Sequence, residues 1–171
     1  MKRFKTIALS LALASPLFAA SIPEDAVYGD FDGDGRKEYL WVECKYDADG
    51  IFSTTPILLR SNNKKLDKSA HWKAGLGGVM LENVGRLNTY RNDCLQVAPF
   101  GQSTWMSACG IRWNGKKWVT VVKPFQIWTG NDEYKRIYPS KRAGYAIIIY
   151  NDMGAGDNAW TNRRKEVRLP R

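Results

Sequence analysis

The chain has a single histidine, His71, and only three cysteines, Cys44, Cys94 and Cys109, among 171 residues. His71 has no second histidine at metal-ligand spacing and no nucleophile motif around it, whereas a catalytic imidazole needs an orienting partner. No Gly-x-Ser-x-Gly, His-Glu-x-x-His or phosphate-cradling glycine loop is present. The scattered glutamates mark no carboxylate pair of the kind a glycosidase requires. Acidic residues are few, 17 against 26 basic, and the formal net charge is +9. The positive charge is dispersed. Its one tight cluster, Arg163-Arg164-Lys165 with Arg168, reads as a solvated tail, so no nucleic-acid face is expected. Helix patterning is scarce after residue 20, and no apolar run is long enough for a stable membrane span.

The longest apolar run, Ile7 to Phe18, follows Lys2, Arg3 and Lys5 and ends near Ala19-Ala20. This is the layout of a secretory signal over residues 1–20, so the protein is expected to be exported, periplasmic or secreted. Removing it takes away 3 of the 26 basic residues and leaves about +6 on residues 21–171. That length suits one domain with a real core. Export permits a disulfide. Cys94 and Cys109 flank the turn-prone stretch from Pro99 to Thr104 and are the favoured pair across a hairpin, although either could pair with Cys44 instead.

Against this basic background, Gly29-Asp30-Phe31-Asp32-Gly33-Asp34-Gly35-Arg36-Lys37-Glu38 places four carboxylates on nine positions, just before the apolar run Tyr39-Leu40-Trp41-Val42. Carboxylates held together in a folded loop repel one another. A hard cation with several oxygen ligands removes that cost, and Ca²⁺ is the usual occupant of such a cage. Asp30, Asp32 and Asp34 alternate and can turn to one centre, while Gly33 and Gly35 permit positive φ. The Arg36 carbonyl and the Glu38 carboxylate would complete the shell. An EF-hand is excluded, because its twelfth position must be a bidentate acid and the twelfth residue from Asp30 is Trp41.

The spacing of these residues resembles the calcium loop of FG-GAP/VCBS-type repeats, found in secreted β proteins and integrin propellers. The resemblance implies that Asp30, Asp32, Asp34 and Glu38 bind Ca²⁺ and that the ion staples a turn to the next strand. It also implies a β fold of propeller-blade type. Residues 21–171 hold only two or three such units, too few for a closed propeller. The expected fold is therefore all-β and mainly antiparallel: a compact sandwich, a barrel-like body or a partial set of propeller blades.

Period-two patterning supports strands from Glu38 to Cys44 and from Ile51 to Leu59, the second interrupted at Pro56 by an edge or a bulge. Around Trp72 to Gly78 the glycines argue against a regular element. Residues 85–98 can be laid on residues 29–45 with one gap, Asp93 falling on Glu38 and Arg86 on Asp30. This reads as a degenerate repeat whose turn is kept and whose metal is lost. Asn114-Gly115 predicts a hairpin with Trp113 and Trp118 on either side, the second strand ending at Pro124. Ala143 to Tyr150 reads as a core strand. A short helical turn is conceivable around Asp132 to Ile137.

Seven tryptophans is a high count. Most serve as core filler in a small β domain. Trp105, Trp128 and Trp160 lie near loops and are the candidates for stacking on a sugar or a partner. These readings favour an exported, calcium-binding, non-enzymatic protein with a protein partner. Small exported proteins of this kind also resemble periplasmic lysozyme inhibitors and immunity proteins that plug a cell-wall hydrolase. A carbohydrate-binding module with a glycan ligand is the alternative, and an enzyme of unrecognised type comes third.

Overall fold

A computed structural model describes residues 22–43, 56–73, 78–100, 105–128, 134–153 and 160–171. They form eleven strands, with no helix among the described residues. Every strand pair is antiparallel. The strands make three sheets in chain order, none closed into a barrel. The first holds β1 (Val27–Gly29), β2 (Glu38–Glu43), β3 (Pro56–Ser61) and β4 (Lys68–Lys73). The second holds β5 (Gly78–Gly85), β6 (Cys94–Phe100), β7 (Trp105–Trp113) and β8 (Trp118–Trp128). The third holds β9 (Ile137–Pro139), β10 (Tyr145–Met153) and β11 (Trp160–Arg168), with β10 in the middle.

The second sheet is the middle layer, with apolar residues buried on both faces. Leu95, Val97, Cys109, Ile111, Trp113 and Trp118 meet Phe31, Leu40, Leu59 and Leu66 of the first sheet and its loops. On the other side Val84, Leu87, Cys94 and Val122 meet Ile137, Ala146, Ile148 and Leu169. This explains the unbroken burial of Cys94-Leu95-Gln96-Val97-Ala98, since a strand covered on both sides cannot alternate. A hydrogen bond ties the layers together: Trp118 Nε1 donates to the Leu66 carbonyl at 3.1 Å. The predicted hairpin is present, with Trp113 opposite Trp118, their rings edge-on at 5.8 Å and Gly115 at φ 92°.

Several expectations are corrected. The Cys94–Cys109 disulfide does not form, and both thiols are free and buried. The ladder sets Cys109 opposite Val97, three residues past Cys94, so the two sulfurs lie on opposite faces of the middle sheet. Burial pushes both thiols up to about 12. Cys44 lies outside the described residues. β8 runs on through Pro124 to Trp128, because β8 is an edge strand and Pro124 falls at an irregularity of the β7–β8 register, where it has no partner to lose. Lys68–Lys73 forms a strand in the stretch just before and into Trp72 to Gly78. Arg163-Arg164-Lys165 is part of β11 rather than a tail, since the backbone ladder with β10 needs no apolar side chains.

Candidate metal centre

β1 and β2 close the acidic loop with the pair Gly29 and Glu38. From the start of the loop Phe31 drops into the core, fully buried and 6.4 Å from the Trp118 ring. Burying a phenylalanine contributes about 2–3 kcal/mol, enough to pin the loop from beneath. Gly33 and Gly35 take φ of 80° and 90°, which turns their N–H groups inward. Asp30 Oδ1 accepts both, at 2.9 Å and 3.4 Å. Asp32 Oδ1 accepts from Asp34 N at 3.1 Å, and Glu38 Oε2 from Phe31 N at 2.9 Å.

Asp30, Asp32 and Glu38 each offer one carboxylate oxygen, all within 4.8 Å of one another, and Asp30 and Glu38 are buried. At that separation each ionised pair repels by about 3.5 kcal/mol at an effective dielectric of about 20. The Glu38 carboxyl is accordingly held above its ordinary value, first by burial and then by Asp32, Asp34 and Asp30. Asp34 stands outside this trio, exposed, with Oδ1 accepting from Arg36 N at 2.8 Å. Arg36 is exposed as well.

Two neighbouring segments supply partial neutralisation. Arg86 Nη2 reaches Asp30 Oδ2 at 2.8 Å. Asn63 Nδ2 donates to Asp32 Oδ2 at 3.0 Å, with Lys65 Nζ farther off at 3.9 Å. Three carboxylates against the close guanidinium of Arg86 and the more distant ammonium of Lys65 leave the trio net negative, which favours a cation. An all-oxygen set suits a hard ion.

The second hairpin loop grips the first. Asp93 N donates to the Asp30 carbonyl at 2.7 Å, and Asp93 Oδ2 accepts from Asp30 N at 3.0 Å. Asn83 Nδ2 bridges Asp93 Oδ2 and the Tyr28 carbonyl. Asn92 Nδ2 donates to the carbonyls of Phe31 and Trp113 at 2.7 Å and 2.9 Å. A Cβ on Gly29 would lie 2.7 Å from Asp93 Oδ2, so only glycine admits this clamp.

The ladder relates the two loops without the expected gap. Gly85 pairs with Cys94 as Gly29 pairs with Glu38, and the Leu87 N–H faces the Cys94 sulfur as the Phe31 N–H faces the Glu38 carboxylate. Cys94 therefore takes the place of Glu38, and Asp93, one residue earlier, serves as the clamp. Arg86, Asn92 and Asn63 were not foreseen as parts of the site. The one signal was Arg86, a cation standing where the first loop has its first acid.

The three tryptophans singled out do not gather at this loop. Trp105 and Trp128 are register partners at one end of β7 and β8, and Trp160 opens β11. Trp128 is half-buried, its backbone N–H donating to Asn151 Oδ1 at 2.9 Å.

No family model matches the chain, and no curated protein or solved structure matches it.

Proposed function

We propose that this is an exported, non-enzymatic binding protein whose first β-hairpin is locked into place by one Ca²⁺. The carrying observation is the convergence of Asp30, Asp32 and Glu38 on one point beneath a glycine-bearing loop. Asp30, Asp32 and Glu38 would hold the ion, with Asp34 and the Arg36 carbonyl beside them. The ion would supply charge neutralisation and fix the loop geometry. Three successive antiparallel meander sheets, the first and third opening with a three-residue strand followed by a longer one, support a reading as blade-type units short of a closed propeller. Export rests on the signal-like residues 1–20. A protein partner such as a cell-wall hydrolase rests on the small size and signal together with the looser inhibitor resemblance.

Calorimetric titration of the chelator-stripped mature protein with CaCl2 tests the metal reading, with one site per chain expected. A flat trace from folded protein rejects it. Pull-down from periplasmic extract then tests the partner. Recovery of a cell-wall hydrolase supports the inhibitor reading, and retention of polysaccharide with no protein turns the assignment to a glycan-binding module.

A further inference from the structure

A cleft of about 770 Å³ runs between the second and third sheets, away from the acidic loop. β8 contributes six consecutive residues to its wall, Thr120 to Phe125. A strand that faces a cavity with one side contributes every second residue. Six in a row mean that the cleft follows the strand's edge. β8 ends its sheet, and β11, which supplies Lys165, Val167 and Arg168 to the opposite wall, ends the third. Among the described residues each of these strands therefore has one ladder neighbour, and an edge strand without a second partner offers free N–H and C=O groups.

The chemistry of the cleft is divided. Its floor is apolar, formed by Val122, Ile148 and Leu169 with half-buried Phe125 and Val167. Its rim is cationic, formed by exposed Lys123, Lys165, Arg168 and Arg171, and no acidic side chain is among its lining residues. Among the described residues none of these four cations forms an ion pair. Lys165 only overlies the Tyr150 ring at 5.1 Å. Glu166, the acid on the same strand, turns away to Ser140. Four unpaired cations around an apolar trough suit an anionic occupant with apolar substance, and the free edge of β8 selects an extended backbone.

We infer that this cleft docks an extended protein segment in which apolar and acidic residues alternate. Its apolar side chains lie on Val122, Phe125 and Val167, and its carboxylates meet Lys123, Lys165 and Arg168. The alternation follows from strand geometry, which sends successive side chains to opposite sides. Pro124 has no N–H to offer, so a ladder on β8 lacks a donor at that position. The acidic loop takes no part, and the docking is independent of calcium.

A fluorescein-labelled peptide of alternating valine and glutamate, titrated into the mature protein in chelator and again in CaCl2, tests the inference by anisotropy. Equal saturable binding in both media is expected, falling steeply with added NaCl. Amide shifts should centre on Thr120–Lys123 and Lys165–Arg168. The exposed-site double variant Lys165→Glu with Arg168→Glu, shown folded by its amide spectrum, should weaken binding about tenfold or more. A matched peptide with lysine for glutamate should not bind. Equal binding of the lysine peptide, indifference to the double variant, or shifts elsewhere would overturn the inference. Binding of dodecanoate in the cleft with none of the acidic peptide would overturn it in favour of an anionic lipid. Calcium titration is a separate readout, so failure of the metal reading leaves this result standing.

Discussion

Replacing Glu38 by glutamine should raise stability in chelator and lower it in calcium. Glutamine keeps an oxygen to accept the Phe31 N–H, which Glu38 now takes at 2.9 Å, and fits the same buried space. What it removes is a charge. The Glu38 carboxyl is raised above its ordinary 4.5, chiefly by burial and then by the three aspartates. A raised carboxyl favours the protonated form in the fold, so its stabilising contribution is complete below 4.5 and is lost as pH climbs through the folded value. In chelator at neutral pH the wild type therefore carries an ionised, repelled carboxylate that the variant lacks. Calcium reverses the sign. With 10 mM Ca²⁺ and an affinity of about 10⁻⁴ M, typical of exported modules, binding adds about 2.7 kcal/mol. For a domain of this size that corresponds to about 5–10 °C in Tm. The variant, with one negative charge fewer at the centre, should lose most of that increment. Differential scanning fluorimetry at pH 7 in chelator and in CaCl2 should give melting orders that cross, and the chelator difference should vanish below pH 4.5. Equal loss in both media would show that the Glu38 carboxylate is structural and that the loop is not organised around an ion.

Asn92→Ala strips the hydrogen bond from two buried carbonyls, those of Phe31 and Trp113, and should cost about 2–4 kcal/mol by urea denaturation in chelator. Gly110→Ala places a Cβ 2.9 Å from Val122 Cβ and 3.1 Å from Ile137 Cδ1, and should destabilise by about 1–3 kcal/mol in the same assay. Cys94 and Cys109, with thiols pushed up to about 12, should resist a disulfide-exchange reagent at pH 8 in the native state and react on unfolding. Asp93→Ala should reduce stability while leaving the calcium stoichiometry at one, because Asp93 holds the loop backbone rather than the ion.

What could be read in the sequence was local. Asn114-Gly115 and its flanking tryptophans announce a hairpin because turn chemistry and cross-strand contact involve adjacent residues. The acidic loop announces itself because four like charges in nine positions conflict with a basic chain. What could not be read depends on burial and distance. Lys68–Lys73 has no strong alternation, yet β3 beside it supplies the ladder. Pro124 looks like a strand end until β8 is known to be an edge. The cysteine pairing fails on parity, which only the register reveals.

The grip of one loop on the other also explains why a site of so few residues can matter to the whole fold. Asp30 faces the other carboxylates with its side chain, while its backbone N–H and carbonyl are both held by Asp93 from the middle sheet. Arg86, from the same second loop, reaches Asp30 Oδ2. Anything that moves Asp30 therefore moves the joint between the first two sheets, with Phe31 as the wedge beneath it. Charge relief at the trio by a bound cation would reach the inter-sheet packing through covalent neighbours, without a separate relay. In such an arrangement a cation lost from the loop would loosen the first sheet before the third, since the third sheet shares only the other face of the middle layer.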